Sequence, residues 1–346
     1  MRALTFSPGA PGAALLEDVP EPTEAAGSVL VATRAVGVCG TDRELLAGKH
    51  GAAPEGESRL VLGHESLGEV LEAPEGSGLR AGDLVVGVVR RPDPVPCANC
   101  AVGEFDMCRN GRYTEHGIHG RHGFARDRWR ADPEALVPVV PELGELGVLL
   151  EPASVVAKAW EHIERIGQRA VWQPRTVLVT GAGPVGLLAA LLAVQRGLEV
   201  HVLDRVTDGP KPSLVAQLGA TYHATPVQEL SLEPDVVVEC TGAGPVVGAV
   251  LGGTARNGII CLAGVSSAGR SQPVDLGALN REWVLQNDVV FGSVNANRRH
   301  YEAGAVALAA ADRSWLDGLV TRRVPVEDHR AALEARDGDV KTVMTF

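Results

Sequence analysis

The stretch TVLVTGAGPVGLLAALLAVQRGLEVHVLD, residues 176–204, contains an apolar run, a glycine-rich turn, a helix-like run and a second apolar run. Gly181, Gly183 and Gly186 match a G-x-G-x-x-G spacing. In such a turn the first glycine allows a tight bend, the second lets a pyrophosphate approach the backbone, and the third lets the helix pack on the strand. The stretch therefore predicts a strand–turn–helix–strand unit that binds a dinucleotide.

Residues beside the turn predict which parts of the dinucleotide are held. Pro184 and Val185 open the helix, whose N-terminus would face the phosphates. Asp204 ends the second strand, where a carboxylate accepts a hydrogen bond from the ribose 2′-hydroxyl and disfavours the 2′-phosphate of NADP. We therefore expect NAD as the cofactor. Arg205 and Lys211 would pair with a 2′-phosphate if Asp204 turned away, or would be solvated surface cations, so NADP stays open.

Composition limits the classes of protein and of ligand. The chain has 346 residues, 45% hydrophobic and 22% charged, which favours a globular protein of about two domains. A formal net charge of -11 provides no basic field for nucleic acid, so small molecules are the expected ligands. The N-terminal residues lack the pattern of a secretion signal and no apolar run is long enough for a membrane span, so we expect a cytoplasmic protein without membrane contact.

The pattern of the chain changes near residue 150. Before it, short β-like runs separated by glycine and proline indicate a compact, mostly antiparallel β domain. After it, β-like runs at 235–240, 258–265 and 288–295 alternate with helix-like stretches, which indicates a doubly wound parallel sheet. The predicted fold class is α/β, and the residues from about 299 onward would pack back onto the first domain.

Four residues form a candidate metal site. Cys39 lies in the run CGTD and is followed by Thr41, His64 and Glu65 lie in GHE after an apolar run, and Glu151 lies at the predicted domain boundary. Catalytic zinc takes such a mixed set of sulfur, nitrogen and oxygen ligands and keeps a position open for water or substrate. Taken singly, each is equally well a buried cysteine, a core histidine or a surface charge, and sequence distance does not prove that they meet.

A second metal candidate is a cluster of three of the six cysteines. Cys97, Cys100 and Cys108 have the spacing C-x2-C-x7-C, which in a chain of this length without a signal peptide favours a metal over a disulfide framework.

At this point the sequence resembles the zinc-dependent medium-chain dehydrogenase/reductase superfamily, and within it the archaeal-type glucose dehydrogenases. The resemblance covers essentially the whole chain. It rests on these motifs: CGTD (39–42), LVLGHE (60–65), VRRP (89–92), GIHGRHGF (117–124), EPAS (151–154), GAGPVG (181–186) and REWVLQN with GSVN (281–295). The resemblance implies a GroES-like catalytic domain formed by residues 1–155 and 299–346, and a Rossmann domain formed by residues 156–298.

The resemblance also implies roles for site residues. Cys39 and His64 would bind the catalytic zinc, with Glu65 and Glu151 as exchangeable carboxylate ligands. Thr41 would hydrogen-bond the reacting hydroxyl and pass its proton outward, and the carbon would give hydride to the nicotinamide. For an aldose the reacting carbon is C1 and the product is a lactone.

Further substrate contacts follow from the same resemblance. Glu115 and Asn295 would reach sugar hydroxyls, Gln286 would line the substrate site, and Asn295 would also reach the cofactor. Val88 and Val89 stand where relatives carry Asn or another polar residue, and Gln286 stands where they often carry a histidine; the loss of one polar contact weakens sugar binding. Two alternatives therefore stay open: a dehydrogenase of a cyclitol or other polyol, and a non-catalytic nucleotide-binding protein.

The cysteine cluster departs from the superfamily pattern, which has four cysteines in a structural zinc lobe. Pro94 stands at the first cysteine position, and the neighbouring Asp93 is the candidate fourth ligand, although a closed zinc site favours thiolate or imidazole. A lobe without zinc, held by packing, is the alternative. Relatives are dimers or tetramers, so we also expect a homo-oligomer.

Overall fold

The structure is a computed structural model that describes residues 1–266 and 271–346. Its strands, in chain order, are β1 (Arg2–Phe6), β2 (Leu15–Asp18), β3 (Val29–Val38), β4 (Leu60–Val61), β5 (Glu65–Glu72), β6 (Leu84–Gly87), β7 (Arg90–Arg91), β8 (Thr114–His116), β9 (Gly120–Arg121), β10 (Arg128–Ala131), β11 (Leu136–Pro138), β12 (Thr176–Thr180), β13 (Glu199–Leu203), β14 (Thr221–His223), β15 (Val236–Glu239), β16 (Ile259–Leu262), β17 (Val289–Gly292), β18 (Val320–Pro325) and β19 (Lys341–Thr345). Its helices are α1 (Gly40–Leu46), α2 (Ala98–Ala101), α3 (Leu150–Gly167), α4 (Pro184–Gln195), α5 (Pro210–Gln217), α6 (Gly244–Val250), α7 (Leu276–Gln286), α8 (Arg298–Ala309), α9 (Arg313–Leu319) and α10 (His329–Leu333).

The described residues divide into two compact units. The first unit consists of Met1–Ser154 and Asn295–Phe346, and the second of Val155–Val294. The domain boundaries expected from the sequence stay a prediction. Within the described part of the chain, no helix is both long enough and apolar enough to span a bilayer.

The largest sheet of the first unit is mostly antiparallel and brings distant motifs together. Its strand order is β11-β6-β5-β3-β19-β18, and β10 also pairs with β3. β3 ends at Val38, directly before Cys39, whereas β5 begins at Glu65, directly after His64. Because β3 and β5 pair with Gly37 opposite Glu65, the residues that follow β3 lie beside those that precede β5. The sheet therefore explains how CGTD and GHE meet.

A small sheet in the same unit has the order β7-β8-β9. Arg90 pairs with Glu115 in its register. Successive side chains of a strand point to opposite faces, so these two residues share one face. The other face carries the remaining partners in the register, namely Arg91, Thr114, His116 and Arg121.

The second unit contains one parallel sheet with the order β14-β13-β12-β15-β16-β17. Numbered from β12, this is the order 3-2-1-4-5-6, in which a dinucleotide binds at the carboxyl ends of the strands where the order reverses. The runs TVLVT of β12 and VVVE of β15 are almost entirely buried, as expected for strands covered on both faces. The topology confirms the predicted α/β class, with a mostly antiparallel β part and a doubly wound parallel sheet.

Candidate active site

The glycine turn follows β12 at the carboxyl edge of the parallel sheet. Gly181 has a φ of 90°, and its N–H donates to the Leu203 carbonyl at 2.7 Å. A Cβ at Gly186 would lie 1.7 Å from the Gly181 oxygen, so the packing of α4 on the turn requires glycine there. Around Gly183, no described atom lies within 4 Å of the Cβ position, which leaves this backbone open to a ligand. Pro184 begins α4, with Val185 in its first turn.

Asp204 is held in place by three donors. Its Oδ2 accepts from the Ala182 N–H at 2.7 Å and from Lys211 Nζ at 3.0 Å, and its Oδ1 accepts from the Val206 N–H at 3.2 Å. Burial raises the pKa of Asp204, but the hydrogen bonds and the Lys211 charge outweigh it, so the pKa lies below its usual value. The carboxylate is therefore ionised at neutral pH and its charge is partly balanced by Lys211.

A cavity of about 620 Å³ in the second unit lies along this turn. Its lining includes Gly181, Gly183, Asp204, Arg205 and Thr241. Arg205 is exposed and lines the same cavity as Asp204. A cavity of this size, bounded by a glycine turn, a helix N-terminus and a carboxylate, suits the adenosine and pyrophosphate parts of a dinucleotide.

In the first unit, the side chains of Cys39, His64 and Glu65 converge. Their candidate ligand atoms all lie within 4.8 Å of one another, and Cys39 Sγ is 3.1 Å from His64 Nε2. Cys39 caps α1, where its sulfur accepts from the Thr41 N–H at 3.3 Å. Asp42 accepts from the Cys39 N–H at 2.8 Å, which fixes the thiol at the start of the helix.

Asp42 also supports His64 from behind. The Asp42 carboxylate and the His64 imidazole are both buried, and His64 Nδ1 lies 3.4 Å from Asp42 Oδ1. Burial lowers the pKa of His64, but the charges of Cys39 and Asp42 raise it well above its usual value. Metal-binding histidines commonly have such a carboxylate on the second ring nitrogen, which leaves the first nitrogen for the metal. Sequence analysis identified Asp42 as part of CGTD without giving it this function.

These residues fit zinc. Two ligands at the usual zinc–sulfur and zinc–nitrogen bond lengths in a tetrahedral site lie about 3.5 Å apart, close to the 3.1 Å between Cys39 Sγ and His64 Nε2. The donor set of thiolate, imidazole and carboxylate is one that zinc accepts. Glu151 is buried but is not among the three converging residues of the described chain. Burial, followed by the charge of Glu65, raises the pKa of Glu151 to about 7.

Sequence reasoning missed Lys341. This lysine opens β19 and is 1% exposed; its ammonium pairs with the Glu65 carboxylate and donates to the Val38 carbonyl at 3.2 Å. Burial lowers the pKa of Lys341, but Glu65 and Cys39 raise it above its usual value. The signal in the sequence is weak, because a lysine at the start of the run KTVMT is typical of a solvated strand end.

The three clustered cysteines also converge. Cys97, Cys100 and Cys108 form a group whose sulfurs lie within 4.8 Å of one another. The Arg109 backbone N–H donates to Cys97 Sγ at 3.4 Å and, as the largest cause, lowers the pKa of Cys97 to about 6, which favours the thiolate that binds metal. Asp93 is not brought into this group: its carboxylate accepts from the Val95 N–H at 2.8 Å and from Asn110 Nδ2 at 2.8 Å.

Glu115 lies in a polar network with Asn295. Glu115 Oε1 accepts from Arg90 Nε at 3.1 Å, Arg90 Nη2 at 3.0 Å and Asn295 Nδ2 at 2.8 Å. Arg90 Nη1 donates to the Asp106 carbonyl at 2.8 Å, and its guanidinium lies 3.7 Å from the Tyr113 ring centroid. The structure therefore brings Glu115 and Asn295 together and adds Arg90, which the sequence had marked only as part of VRRP.

Gln286 lies apart from the glycine turn. It ends α7, and its carbonyl accepts from the Asn257 N–H at 2.9 Å; the two residues precede β17 and β16 respectively. The glycine turn follows its strand, so Gln286 lies at the opposite edge of the parallel sheet. The structure therefore does not bring Gln286 together with the glycine turn, and its expected contact with substrate stays a prediction. Val89 is buried. Its N–H donates to Tyr301 Oη at 3.3 Å, and its carbonyl accepts from the His116 N–H at 3.0 Å.

Comparison with known proteins gives the family. Residues 25–142 match the alcohol dehydrogenase GroES-like domain, and residues 144–346 match the glucose dehydrogenase C-terminus. The glucose 1-dehydrogenase of Methanocella arvoryzae is 40% identical over 355 residues and covers 99% of both chains. The chain belongs to the glucose dehydrogenase family. Glucose 1-dehydrogenase 2 of Vulcanisaeta moutnovskia, which is 42% identical with 99% of both chains covered, is a second relative.

A solved structure of the glucose dehydrogenase family agrees with the fold. The Haloferax mediterranei glucose dehydrogenase in complex with NADP, Zn and gluconolactone is 35% identical, with a TM-score of 0.92 over 100% of this chain and 99% of that one. The predicted resemblance to zinc-dependent medium-chain dehydrogenases is confirmed. As a member of the glucose dehydrogenase family, the chain is an oxidoreductase of the class that uses zinc and a nicotinamide dinucleotide.

Proposed function

We propose that the protein oxidises the C1 carbon of an aldose, glucose first, to the lactone and transfers hydride to a nicotinamide dinucleotide. The observation that best supports this proposal is the convergence of Cys39, His64 and Glu65 in the unit that also contains the hydrogen-bond network of Glu115. A Cβ at Gly117 would lie 2.6 Å from the Gly63 oxygen, so the loop after Glu115 packs against the residue before His64. The residues proposed to bind the metal and the carboxylate proposed to bind sugar hydroxyls are thereby parts of one packed region.

Cys39, His64 and Glu65 would hold the zinc, with Glu151 as a further exchangeable carboxylate. Bound zinc polarises the reacting hydroxyl and lowers its pKa. Thr41 is half-buried as the second residue of α1, and its Oγ1 would accept the hydrogen bond of that hydroxyl and relay the proton outward. Lys341 holds the Glu65 carboxylate by an ion pair, and Asp42 orients His64. The C1–H bond then supplies the hydride and the hydroxyl supplies the proton.

Glu115 and Asn295 would bind the remaining sugar hydroxyls. Arg90 and Asn295 donate to Oε1 of Glu115, so Oε2 is the oxygen that would accept from the sugar. Asn295 has a φ of 62°, which is a left-handed conformation. Its Oδ1 accepts a hydrogen bond from the Ala296 N–H at 2.7 Å. This backbone geometry directs the Asn295 amide toward Glu115, where it would also meet the cofactor.

NAD is the proposed cofactor, with NADP also accepted. Asp204 keeps its charge at neutral pH and would bind the ribose 2′-hydroxyl, which favours NAD. Lys211 balances that charge at 3.0 Å and Arg205 is exposed at the same cavity, so both cations reduce the repulsion of a 2′-phosphate. The preference for NAD is therefore expected to be moderate.

We further propose a homo-oligomer assembled through the β17 edge of the second unit, and a cytoplasmic location. β17 is an edge strand of its sheet, and none of the residues of α7 is buried. Leu276, Val284 and Leu285 of α7 are 68%, 67% and 62% exposed, an apolar surface that a second copy would cover. The six free cysteines suit a reducing compartment.

The test is the formation of NADH and NADPH, measured in parallel, from zinc-loaded protein with D-glucose, other aldoses and inositols. Turnover of glucose with NAD, lost after zinc removal and in Cys39→Ser, is the expected result. A Cys240→Ser variant is the matched control, because Cys240 is a free cysteine outside the metal group. If no aldose is oxidised but an inositol is, the substrate is a cyclitol and not an aldose. Full activity of Cys39→Ser would exclude the zinc chemistry.

A further inference from the structure

One face of the β7-β8-β9 sheet carries arginines that form no close ion pair among the described residues, although the charges of Asp132, Glu134 and Glu57 act on them from a longer distance. The register places Arg91 opposite Thr114 and Arg121 opposite His116, and Arg121 Nε lies 3.3 Å from Thr114 Oγ1. The His116 ring stacks on Phe124 at 4.5 Å between centroids, and Arg126 follows two residues later. We call Arg91, Arg121 and Arg126 the basic cluster.

The basic cluster differs from the other arginines of its surroundings. Within the described residues, no carboxylate lies within 4.0 Å of a side-chain nitrogen of Arg91, Arg121 or Arg126. On the opposite face of the same sheet, Arg90 is paired with Glu115 at 3.0 Å. Nearby in the chain, Arg130 is likewise paired, with Glu72 at 3.3 Å. Ion pairing is therefore the local rule, and the basic cluster departs from it.

The cluster is also partly removed from water: Arg126 is buried, and Arg91 and Arg121 are half-buried. Arg126 is 8% exposed, and its buried Nε–H has no hydrogen-bond partner among the described residues. Burial, followed by the charge of Arg121, lowers the pKa of Arg91 and of Arg126 to about 10. An unpaired buried charge with unsatisfied donors is costly, so a bound anion would stabilise this face.

We propose that the basic cluster binds a small tetrahedral oxyanion, inorganic phosphate or sulfate. Guanidinium groups match the geometry of these oxygens, and the Thr114 hydroxyl supplies a further donor. The site lies on the face of the sheet opposite Arg90 and Glu115, so it is distinct from the proposed sugar contacts. An oxyanion there would hold β7, β8 and β9 together and so fix the strand that carries Glu115.

The experiment measures thermal unfolding of the full chain during titration with sodium phosphate, sodium sulfate or sodium chloride at constant ionic strength. The variant Arg91→Gln/Arg121→Gln removes the two half-buried cations of the cluster. The control Arg165→Gln/Arg175→Gln makes the same change of charge at exposed positions of the second unit. We expect phosphate and sulfate to give a saturable rise in Tm for the parent and the control, and loss of that rise in the cluster variant.

A second readout compares the Tm of the cluster variant with the Tm of the parent in sodium chloride, without phosphate or sulfate. In chloride the cluster variant should melt at the same temperature as the parent or higher, because removal of two like charges relieves repulsion. Equal rises for all three proteins would reflect the general exclusion of these anions from the protein surface, which stabilises any folded state, and would overturn the proposal. If the double variant does not fold, calorimetric titration of phosphate into Arg91→Gln replaces it, and unchanged heat relative to the parent would overturn the proposal equally. Neither readout depends on dehydrogenase activity.

Discussion

At the scale of single residues, Asp204 combines a structural and a binding task. Its carboxylate accepts from two backbone N–H groups and from Lys211, and it is 10% exposed. We expect Asp204→Asn to lower the free energy of unfolding at neutral pH by about 1 to 3 kcal/mol, the usual size for hydrogen bonds to a charged group. Urea unfolding of parent and variant measures this difference.

The pH dependence of the stability difference between parent and Asp204→Asn follows from the direction in which the fold shifts the pKa of Asp204. The pKa of Asp204 is lower in the folded protein than the unfolded value of about 3.9, so its contribution is present above that value and is lost as pH falls through the folded pKa. The gap between parent and Asp204→Asn should therefore narrow below about pH 4. Asp208→Asn, at an exposed position of the same loop, is the control and should stay close to the parent. A gap that is equally wide at neutral and acid pH would rule out this account.

Individual residues differ in how far the sequence could predict them. Cys39, His64 and Glu65 stand in short runs whose neighbours are informative, and the structure brings all three together. Lys341 could not be found in this way, because its place beside Glu65 depends on the pairing of β19 with β3, which joins the two ends of the first unit. Long-range strand pairing leaves no local pattern around a charged residue, so such partners appear only in the fold.

At the scale of elements, Arg90 links β7 to the proposed sugar contacts. It donates two hydrogen bonds to Glu115 and one to the Asp106 carbonyl, and it stacks on Tyr113. We expect Arg90→Met to release the Glu115 carboxylate and to raise the KM for the sugar by about tenfold to a hundredfold, the effect of losing one well-placed polar contact. The KM for the dinucleotide should stay unchanged. Steady-state kinetics with each substrate varied in turn measures both.

Two matched variants sharpen this test. Arg90→Lys keeps the charge but lacks the planar fork, so it should recover part of the affinity for sugar. Arg109→Gln removes an exposed guanidinium in the neighbouring cysteine lobe and should leave both KM values as they are. If Arg90→Met instead lowers kcat alone, or raises both KM values together, Arg90 acts on the whole unit and does not position Glu115.

Elements also show where sequence patterns mislead. The spacing of Cys97, Cys100 and Cys108 correctly predicted a convergent group, because a short loop keeps near neighbours together. Asp93 was the expected fourth ligand from its position, but its carboxylate already accepts from Val95 and Asn110 in a turn of its own. Gln286 was expected at the substrate site from its motif alone, whereas the direction of β17 decides which edge of the sheet Gln286 reaches.

At the scale of the whole molecule, the exposed surface of α7, the helix that precedes the edge strand β17, decides the predicted assembly. The sequence indicated a parallel sheet with an edge run at 288–295, but it did not show that α7 would lack buried residues. A solvent-exposed helix normally places its apolar residues against a core, and here Leu276, Val284 and Leu285 are left exposed. Helical periodicity reports an apolar face without reporting whether the same chain or a second copy covers it.

We expect Val284→Glu/Leu285→Glu to convert an oligomer into monomers, because two charges would have to be buried without partners at the interface. Size-exclusion chromatography with light scattering measures the mass of parent and variant at equal concentration. Val306→Glu is the control, because Val306 is 71% exposed on α8 in the first unit and should leave the mass unchanged. The circular dichroism spectrum of the variant should match that of the parent, which separates dissociation from unfolding. A monomeric parent, or a variant that keeps the parent's mass, would place any contact between copies elsewhere and leave the apolar surface of α7 to another partner.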